Sequence, residues 1–120
     1  MASGRDPSFV ERLDELSRAA EGAPWSEEAL NRFVQHCYAE GWVLSDFDWG
    51  DWMVTAAALS AERSLVASAD QDTLAKLLTT HIRQDRFAEG HLAGVAASGL
   101  LEDIGKRAYE IARTIKLASK

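Results

Sequence analysis

The sequence predicts an all-α fold, a single compact orthogonal bundle of five to six helices that spans residues 6–118. Apolar residues recur at helical spacing in successive segments, and glycines, prolines or short polar stretches separate these segments. Only residues 42–44 resemble a strand, and one such segment cannot build a sheet without a second to pair with. Residues 1–5 are polar and contain a glycine, so we expect a flexible N-terminus there.

Composition narrows the class of protein further. The chain has 120 residues, of which 47% are hydrophobic and 27% charged, which is typical of one globular domain. Its net charge of −6 opposes nucleic-acid binding, because that affinity comes mostly from Lys and Arg. The N-terminus lacks the apolar run of a signal peptide, and no stretch approaches the roughly 20 apolar residues of a membrane helix. We therefore expect a cytoplasmic protein with no nucleic-acid or membrane partner.

The charge is unevenly distributed along the chain. Residues 1–40 carry a net charge of −4, residues 41–75 carry −5, and residues 76–120 carry +3. Such an imbalance either draws the acidic residues 1–75 and the basic residues 76–120 together or gives the basic end a surface of its own.

The first two helices have clear start and stop signals. Pro7 is suited to the first helical position, and the segment from Gly22 to Pro24 ends that helix. Ser26 is the predicted N-cap of the second helix, which Gly41 terminates. Cys37 lies on the apolar stripe of this helix, where a cysteine usually behaves as a small inert hydrophobe.

Residues 42–52 interrupt the helical pattern and hold three of the four tryptophans. Ser45 or Asp48 is expected to cap the third helix, whose inward side is formed by Trp49, Trp52, Met53 and Ala56. A tryptophan cluster can form a ligand platform, but core filling is favoured because each ring buries a large apolar area. Residues 60–69 show a weak pattern and are expected to form an irregular connection.

Three further helices are expected in the second half of the chain. The central helix begins at Asp70 or Asp72 and ends near residues 83–85, and the next begins near Glu89 and stops at Gly99. The last helix has apolar residues three and four positions apart through Ile115. The core positions expected on four separate helices are Phe33, Trp52, Leu78 and Ile104.

The polar turn between the central helix and the next one is the candidate site. Its ligand-binding candidates are Arg83, Asp85, Arg86, Glu89 and His91. Acids and histidines can transfer protons, and arginines can hold an anion. The favoured interpretation is instead a structural clasp, in which an arginine pairs with an acid or with helix-end carbonyls, because ion-pair networks cluster charges as active sites do. Phe87 would then pin the turn to the core.

Other kinds of chemistry have weaker support. His81 and His91 are ten residues apart across a predicted helix break, so a site with two histidines and one carboxylate requires the turn to fold them together. The spacing matches no short metal motif, and the sequence contains neither a glycine-rich phosphate loop nor a familiar hydrolase motif. We expect no metal, no cofactor and no assigned catalytic residue.

The segment LLTTHIRQDRFAEGHLAGVAASGLLEDI, with FDWGDW upstream, resembles a family of small uncharacterised bacterial proteins known only as a domain of unknown function. The shared features are Trp49 and Trp52, Leu77–Thr79, the Arg-x-Asp-Arg-Phe-x-Glu-Gly motif at residues 83–90, and Ser98 with Gly99. The resemblance covers roughly residues 30–107. It implies a helical bacterial domain and carries no activity, substrate or catalytic residue.

Two functional hypotheses remain from the sequence. The favoured one is a non-catalytic protein-interaction or self-association module, whose partner is an unknown protein or a second copy. A homodimer through the last helix is expected because Ile111, Ile115 and Leu117 continue the apolar pattern beyond what the preceding helix can cover. The alternative is a small enzyme or anionic-ligand-binding protein that uses the polar turn from Arg83 to His91. Whether the polar side chains of that turn line an open cleft or pair with one another would separate the two.

Overall fold

A computed structural model describes residues 7–118, with side chains from Val10 onward. This part of the chain contains seven helices and no strand. The helices are α1 (Pro7–Ala19), α2 (Glu27–Ala39), α3 (Met53–Ala61), α4 (Arg63–Ala67), α5 (Gln71–Asp85), α6 (His91–Ala97) and α7 (Leu100–Ala118). The all-α prediction is confirmed, and the predicted count of five to six is too low. Residues 1–5, the expected flexible N-terminus, lie outside the described residues.

The additional helix is α4, in the segment predicted to be irregular. With five residues it is little more than one turn, too short to produce a recognisable apolar stripe. Val66 is fully buried, and the guanidinium of Arg63 donates to the Ser98 carbonyl oxygen at 2.8 Å and pairs with Asp103. Contacts with distant parts of the chain therefore hold this turn in a helical conformation.

Two of the predicted N-caps are confirmed. The Ser26 hydroxyl accepts a hydrogen bond from the Ala29 backbone N–H at 3.0 Å. Asp70, rather than Asp72, caps α5 and accepts from the Thr73 N–H at 2.8 Å. Hydrogen bonding to the Thr73 side chain, and then to its backbone N–H, lowers the pKa of Asp70. Each cap satisfies a backbone donor that has no partner within its own helix.

The predicted start of the third helix is wrong. α3 begins at Met53, after Trp52, and neither Ser45 nor Asp48 caps it. Asp48 instead accepts from the Asp51 N–H at 3.2 Å in the turn before the helix. Of the residues predicted to face inward, Ala56 is buried, Trp49 and Trp52 are half-buried before the helix begins, and Met53 is exposed.

Three of the four expected core positions are buried, namely Phe33, Leu78 and Ile104. Trp52 is only half-buried, because it precedes α3 and packs edge-to-face on Phe47 at a ring-centroid distance of 6.0 Å. The tryptophan that fills the core is Trp42, which has no exposed surface.

α7 packs along α1, and the closest approach is at Gly105. A Cβ atom at this position would lie 2.6 Å from the Ala20 Cβ and 3.3 Å from the Ser17 carbonyl oxygen. Ile111 and Ile115 are half-buried against the core, whereas Leu117 is 60% exposed. Most of the apolar stripe that suggested a last-helix dimer is thus already covered within one chain.

None of the helices within residues 7–118 combines the length and the apolar composition that a membrane crossing requires.

Gly105→Ala is expected to lower the free energy of unfolding. Glycine to alanine in an open helix interior stabilises by roughly 1 kcal/mol, but overpacking a closed contact costs about 1–3 kcal/mol. The matched control is Gly94→Ala in α6, where a Cβ would meet no atom within 4 Å. Urea denaturation of both variants and of the parent measures the free energy of unfolding. A G105A protein as stable as the G94A protein would contradict the close packing of α1 and α7.

Candidate functional site

An open groove runs between α3 and α6, with α5 at its floor, and encloses about 820 Å³. Its walls are mainly apolar, and within residues 7–118 no Asp, Glu, Lys or Arg side chain lines it. We call it the histidine groove; its lining residues are Met53, Val54, Ala57, Ser60, Ala61, His81, Gln84, Gly90, His91, Gly94, Val95, Ser98 and Leu100.

The two histidines meet at the floor of this groove. The Nδ1 atom of His81 lies 2.9 Å from Nε2 of His91, and the two rings are stacked with their centroids 5.1 Å apart. On its other side, His81 Nε2 lies 3.0 Å from the Ser60 hydroxyl oxygen. One chain of hydrogen bonds therefore joins α3, α5 and α6.

The positions of the hydrogens follow from the neighbours of Ser60. Its Oγ lies 2.8 Å from the Ala56 carbonyl oxygen, which can only accept, so the hydroxyl hydrogen belongs to this bond. Ser60 then accepts from His81 Nε2–H. Neutral His81 has a lone pair left on Nδ1, which accepts from His91 Nε2–H.

This arrangement is poorly suited to serine-type catalysis. A nucleophilic serine needs a base that receives its hydrogen, whereas Ser60 donates its hydrogen to Ala56. Burial, and secondarily the charge of His91, lowers the pKa of His81 to about 4, which makes it a weak base near neutral pH. The chain Ser60–His81–His91 fits a structural connection between three helices better than a catalytic one.

One residue of the predicted polar turn stabilises the next helix. The Asp85 carboxylate accepts from the Leu92 backbone N–H at 2.8 Å, in the first turn of α6. A carboxylate at a helix N-terminus both satisfies a free donor and interacts favourably with the helix dipole. The turn is thus fastened by a bond to the backbone, not by the ion pair expected of a clasp.

The other charged residues of the turn have no such role. Arg86 and Glu89 are exposed, and within residues 7–118 their side chains form no hydrogen bond or ion pair. The Nε atom of half-buried Arg83 also lacks a hydrogen-bond partner there. Of the five candidate residues, only His91 lines the histidine groove.

Phe87 does not pin the turn to the core as expected. Its side chain is 79% exposed and stacks on Trp49, with ring centroids 5.8 Å apart and an angle of 21° between the planes. The stack joins the turn before α6 to the loop before α3, near the end of the groove where both helices begin.

Sequence reasoning missed the contribution of α3 and of Ser60. The available signal was the segment from Met53 to Ala61, nine residues without a single charge and without a one-sided apolar stripe. The expected helix ends before Ser60, which falls in the segment predicted to be an irregular connection.

The described residues do not assemble an evident metal centre. No group of three or more His, Cys, Asp or Glu side chains placed to hold a metal ion occurs within residues 7–118. The turn does bring His81 and His91 together, but no carboxylate joins them in the groove lining. Cys37 is fully buried, and burial raises the pKa of its thiol to about 12, so it has little thiolate character.

The chain belongs to a protein family without an assigned activity. The family of unknown function DUF6508 matches residues 9–114, which extend from α1 into α7. No curated protein and no solved structure matches the chain. The resemblance to a family of unknown function is confirmed to that extent, and the fold and the groove are the basis for any inference about function.

Asp85→Ala is expected to lower the free energy of unfolding by about 1 kcal/mol, the usual loss when a side chain that caps a helix is removed. Arg86→Ala is the matched control and should change it by less than about 0.5 kcal/mol, as exposed residues without partners do. The stabilities of both variants and of the parent are compared through their denaturant midpoints. If R86A loses more free energy of unfolding than D85A, the result would support the hypothesis of an ion-pair clasp instead.

The buried neutral His81 should make stability depend on pH. The pKa of His81 is near 6.5 when exposed and about 4 in the folded chain, so between these values the unfolded state binds more protons. The free energy of unfolding should therefore fall as pH drops from about 6.5 to 4, by on the order of 3 kcal/mol across the whole window.

His81→Gln removes this titration and leaves every carboxylate in place. Urea denaturation of the parent and of H81Q at several pH values should show that the free energy of unfolding of the parent falls relative to that of H81Q as pH drops from about 6.5 to 4. Parallel curves would show that His81 is not held neutral by burial.

Proposed function

We propose that this chain is a non-catalytic protein-interaction module, and that its partner packs on the exposed surface of α3 and α6. The observation that carries the proposal is the composition of α3. α3 has no charged residue on any side, and Thr55 and Ser60 are its only polar residues. A helix that is largely apolar all round is normally buried. Here most of the helix is exposed, at Met53, Val54, Thr55, Ala57, Ala58 and Ala61.

The surface opposite α3 has the same character. Gly94 of α6 is exposed and lines the groove, and so small a residue lets another backbone approach closely. We define the α3–α6 face as the histidine groove together with the exposed residues of α3 named above. Charged side chains are depleted at the centre of protein interfaces, since their desolvation is costly. An uncharged surface on a chain with 27% charged residues fits that pattern.

The hydrogen-bond chain below the groove supports a binding role over a catalytic one. Ser60 donates to a carbonyl of its own helix, and His81 is engaged on both nitrogens. These side chains hold the walls of the groove together, which gives a partner a preformed surface.

One observation favours a second candidate, an anionic-ligand site at the polar turn. Arg86 has no ion-pair partner within residues 7–118, and Arg83 Nε has no hydrogen-bond partner there, so both could contact an anion. Glu89 and Asp85 in the same turn oppose anion binding, and of the five candidate residues only His91 lines the groove. This alternative would be established if the parent protein binds phosphate and the R86A protein does not.

Site-specific photo-crosslinking tests the interaction face. We expect a photoreactive phenylalanine analogue at position 54 to form a discrete adduct with a polypeptide in host cells, because Val54 is 82% exposed on the α3–α6 face. The same group at Leu117, 60% exposed on α7, is the positional control and should form none.

A second substitution sharpens this result. Ala57→Glu places a charge in the groove and should abolish the adduct at position 54, whereas Ala118→Glu on α7 should not. Equal adducts from positions 54 and 117, or no adduct at all, would contradict an interaction through the α3–α6 face.

A further inference from the structure

We propose that the partner on the α3–α6 face is a basic polypeptide segment, which packs apolar side chains on α3 and brings an arginine to the end of the face where α3 begins. This inference rests on the proposed function and names the chemistry of the partner. The apolar face supplies the contact area, and the charges at its border select the partner.

The chain that forms α3 and leads into it is acidic. Residues 41–62 contain four acids and no Lys, Arg or His. Three of these acids, Asp46, Asp48 and Asp51, are exposed in the loop directly before α3. We call residues 46–51 the acidic loop. The α3–α6 face is therefore bordered by negative charge at this end.

No basic residue within residues 7–118 neutralises the acidic loop. None of its three carboxylates forms an ion pair there. Lys76 lies over the ring of Phe47 at 5.8 Å, but its ammonium pairs with Asp72 at 3.0 Å. The turn before α6 adds no net charge, because it carries Arg86 and Glu89 together. The charge of the loop thus remains for a partner of opposite sign to complement.

Exposed aromatic rings at the same end of the face also favour a cation. Phe87 is 79% exposed and stacks on Trp49, which follows Asp48 in the acidic loop. The face of an aromatic ring attracts cations. A guanidinium stacks on such a ring and also binds a carboxylate through two parallel hydrogen bonds, which an ammonium cannot do. Aromatic rings beside unpaired carboxylates therefore favour an arginine.

The rest of the face requires apolar side chains next to that arginine. Val54 is 82% exposed three residues after Asp51, and within residues 7–118 no charged side chain lines the groove. A cation placed along the groove would lose hydration without gaining a carboxylate partner. The complementary segment is consequently apolar along α3 and cationic at one end. The net charge of −6 adds a long-range attraction for a basic partner.

Neutralising the acidic loop tests the inference. The variant D46N/D48N/D51N removes three charges and keeps an oxygen at position 48 to accept from the backbone N–H of residue 51. We expect the adduct from the photoreactive group at position 54 to fall at least about tenfold, because charges at the border of an interface set the rate of association. In a host-cell extract, added salt should weaken the parental adduct more than that of the variant.

Two matched controls accompany this variant. E11Q/E15Q/E21Q removes the same charge from α1 and the turn after it, and should leave the adduct unchanged. D46E/D51E keeps the charge of the acidic loop and should retain the adduct. Circular dichroism and a denaturant midpoint show whether each variant folds. If the triple Asn variant does not fold, D51N alone, which removes one exposed charge, should still lower the adduct.

Phe87→Leu tests the aromatic contribution. Leucine keeps an apolar contact with Trp49 but has no ring face for a guanidinium, so the adduct from position 54 should fall by about two- to fivefold. Tyr109→Leu is the control, because Tyr109 is also an exposed aromatic residue but lies on α7. An F87L protein that forms as much adduct as Y109L would overturn the assignment of an arginine.

Mass spectrometry of the adduct identifies the partner segment, which should contain an arginine. Replacing that arginine with glutamine in the partner should weaken the adduct of the parent but not further weaken that of D46N/D48N/D51N. An adduct undiminished in the triple variant, a segment without arginine, or an adduct with a second copy of this chain overturns the inference and leaves the interaction function standing. The absence of any adduct contradicts both.

Discussion

The arrangement of the helices depends on burying three consecutive polar residues of α5, which are Thr79, Thr80 and His81. A buried polar group without a hydrogen bond costs roughly 1–3 kcal/mol, so each of these side chains requires a partner. Thr80 finds one within its own helix, at the Lys76 carbonyl oxygen. Thr79 accepts from the Leu44 N–H in the loop after α2, and His81 extends to both α3 and α6. The central helix thereby fixes the elements around it through polar as well as apolar contacts.

The histidine groove is a consequence of the same requirement. Because His81 needs a partner on each ring nitrogen, α3 and α6 are held at a distance set by two side-chain hydrogen bonds instead of packing directly on each other. Asp85 fixes the first turn of α6 independently through the Leu92 N–H. Buried polar bonds of this kind define a unique arrangement because their geometry is directional. The surface between the two helices is therefore preformed, which lowers the entropic cost of binding a partner there.

What could be predicted from the sequence was the local part of this structure. The second helix was predictable because its apolar stripe, the Ser26 cap and the Gly41 stop lie within one short segment. α4 could not be predicted, since its single turn is stabilised by the hydrogen bond of Arg63 to Ser98 and by its ion pair with Asp103, which are distant in the sequence. The contact between His81 and His91 could not be predicted either, because it depends on the conformation of the turn between them. That turn includes Gly90 at a φ of 83°, a conformation that favours glycine and redirects the chain in a way no periodicity records.

The composition of α3 is harder to explain by folding alone. Ala56 and Leu59 of α3 are buried in the core, whereas Val54 and Ala57 are exposed. A charged residue at either exposed position is therefore expected to cost the isolated chain little stability. Charge at such exposed positions would also improve solubility. An apolar face of this kind exposes the chain to non-specific association unless something covers it. The proposed interaction would provide such a cover, because a complementary surface on α3 and α6 excludes water from these uncharged positions.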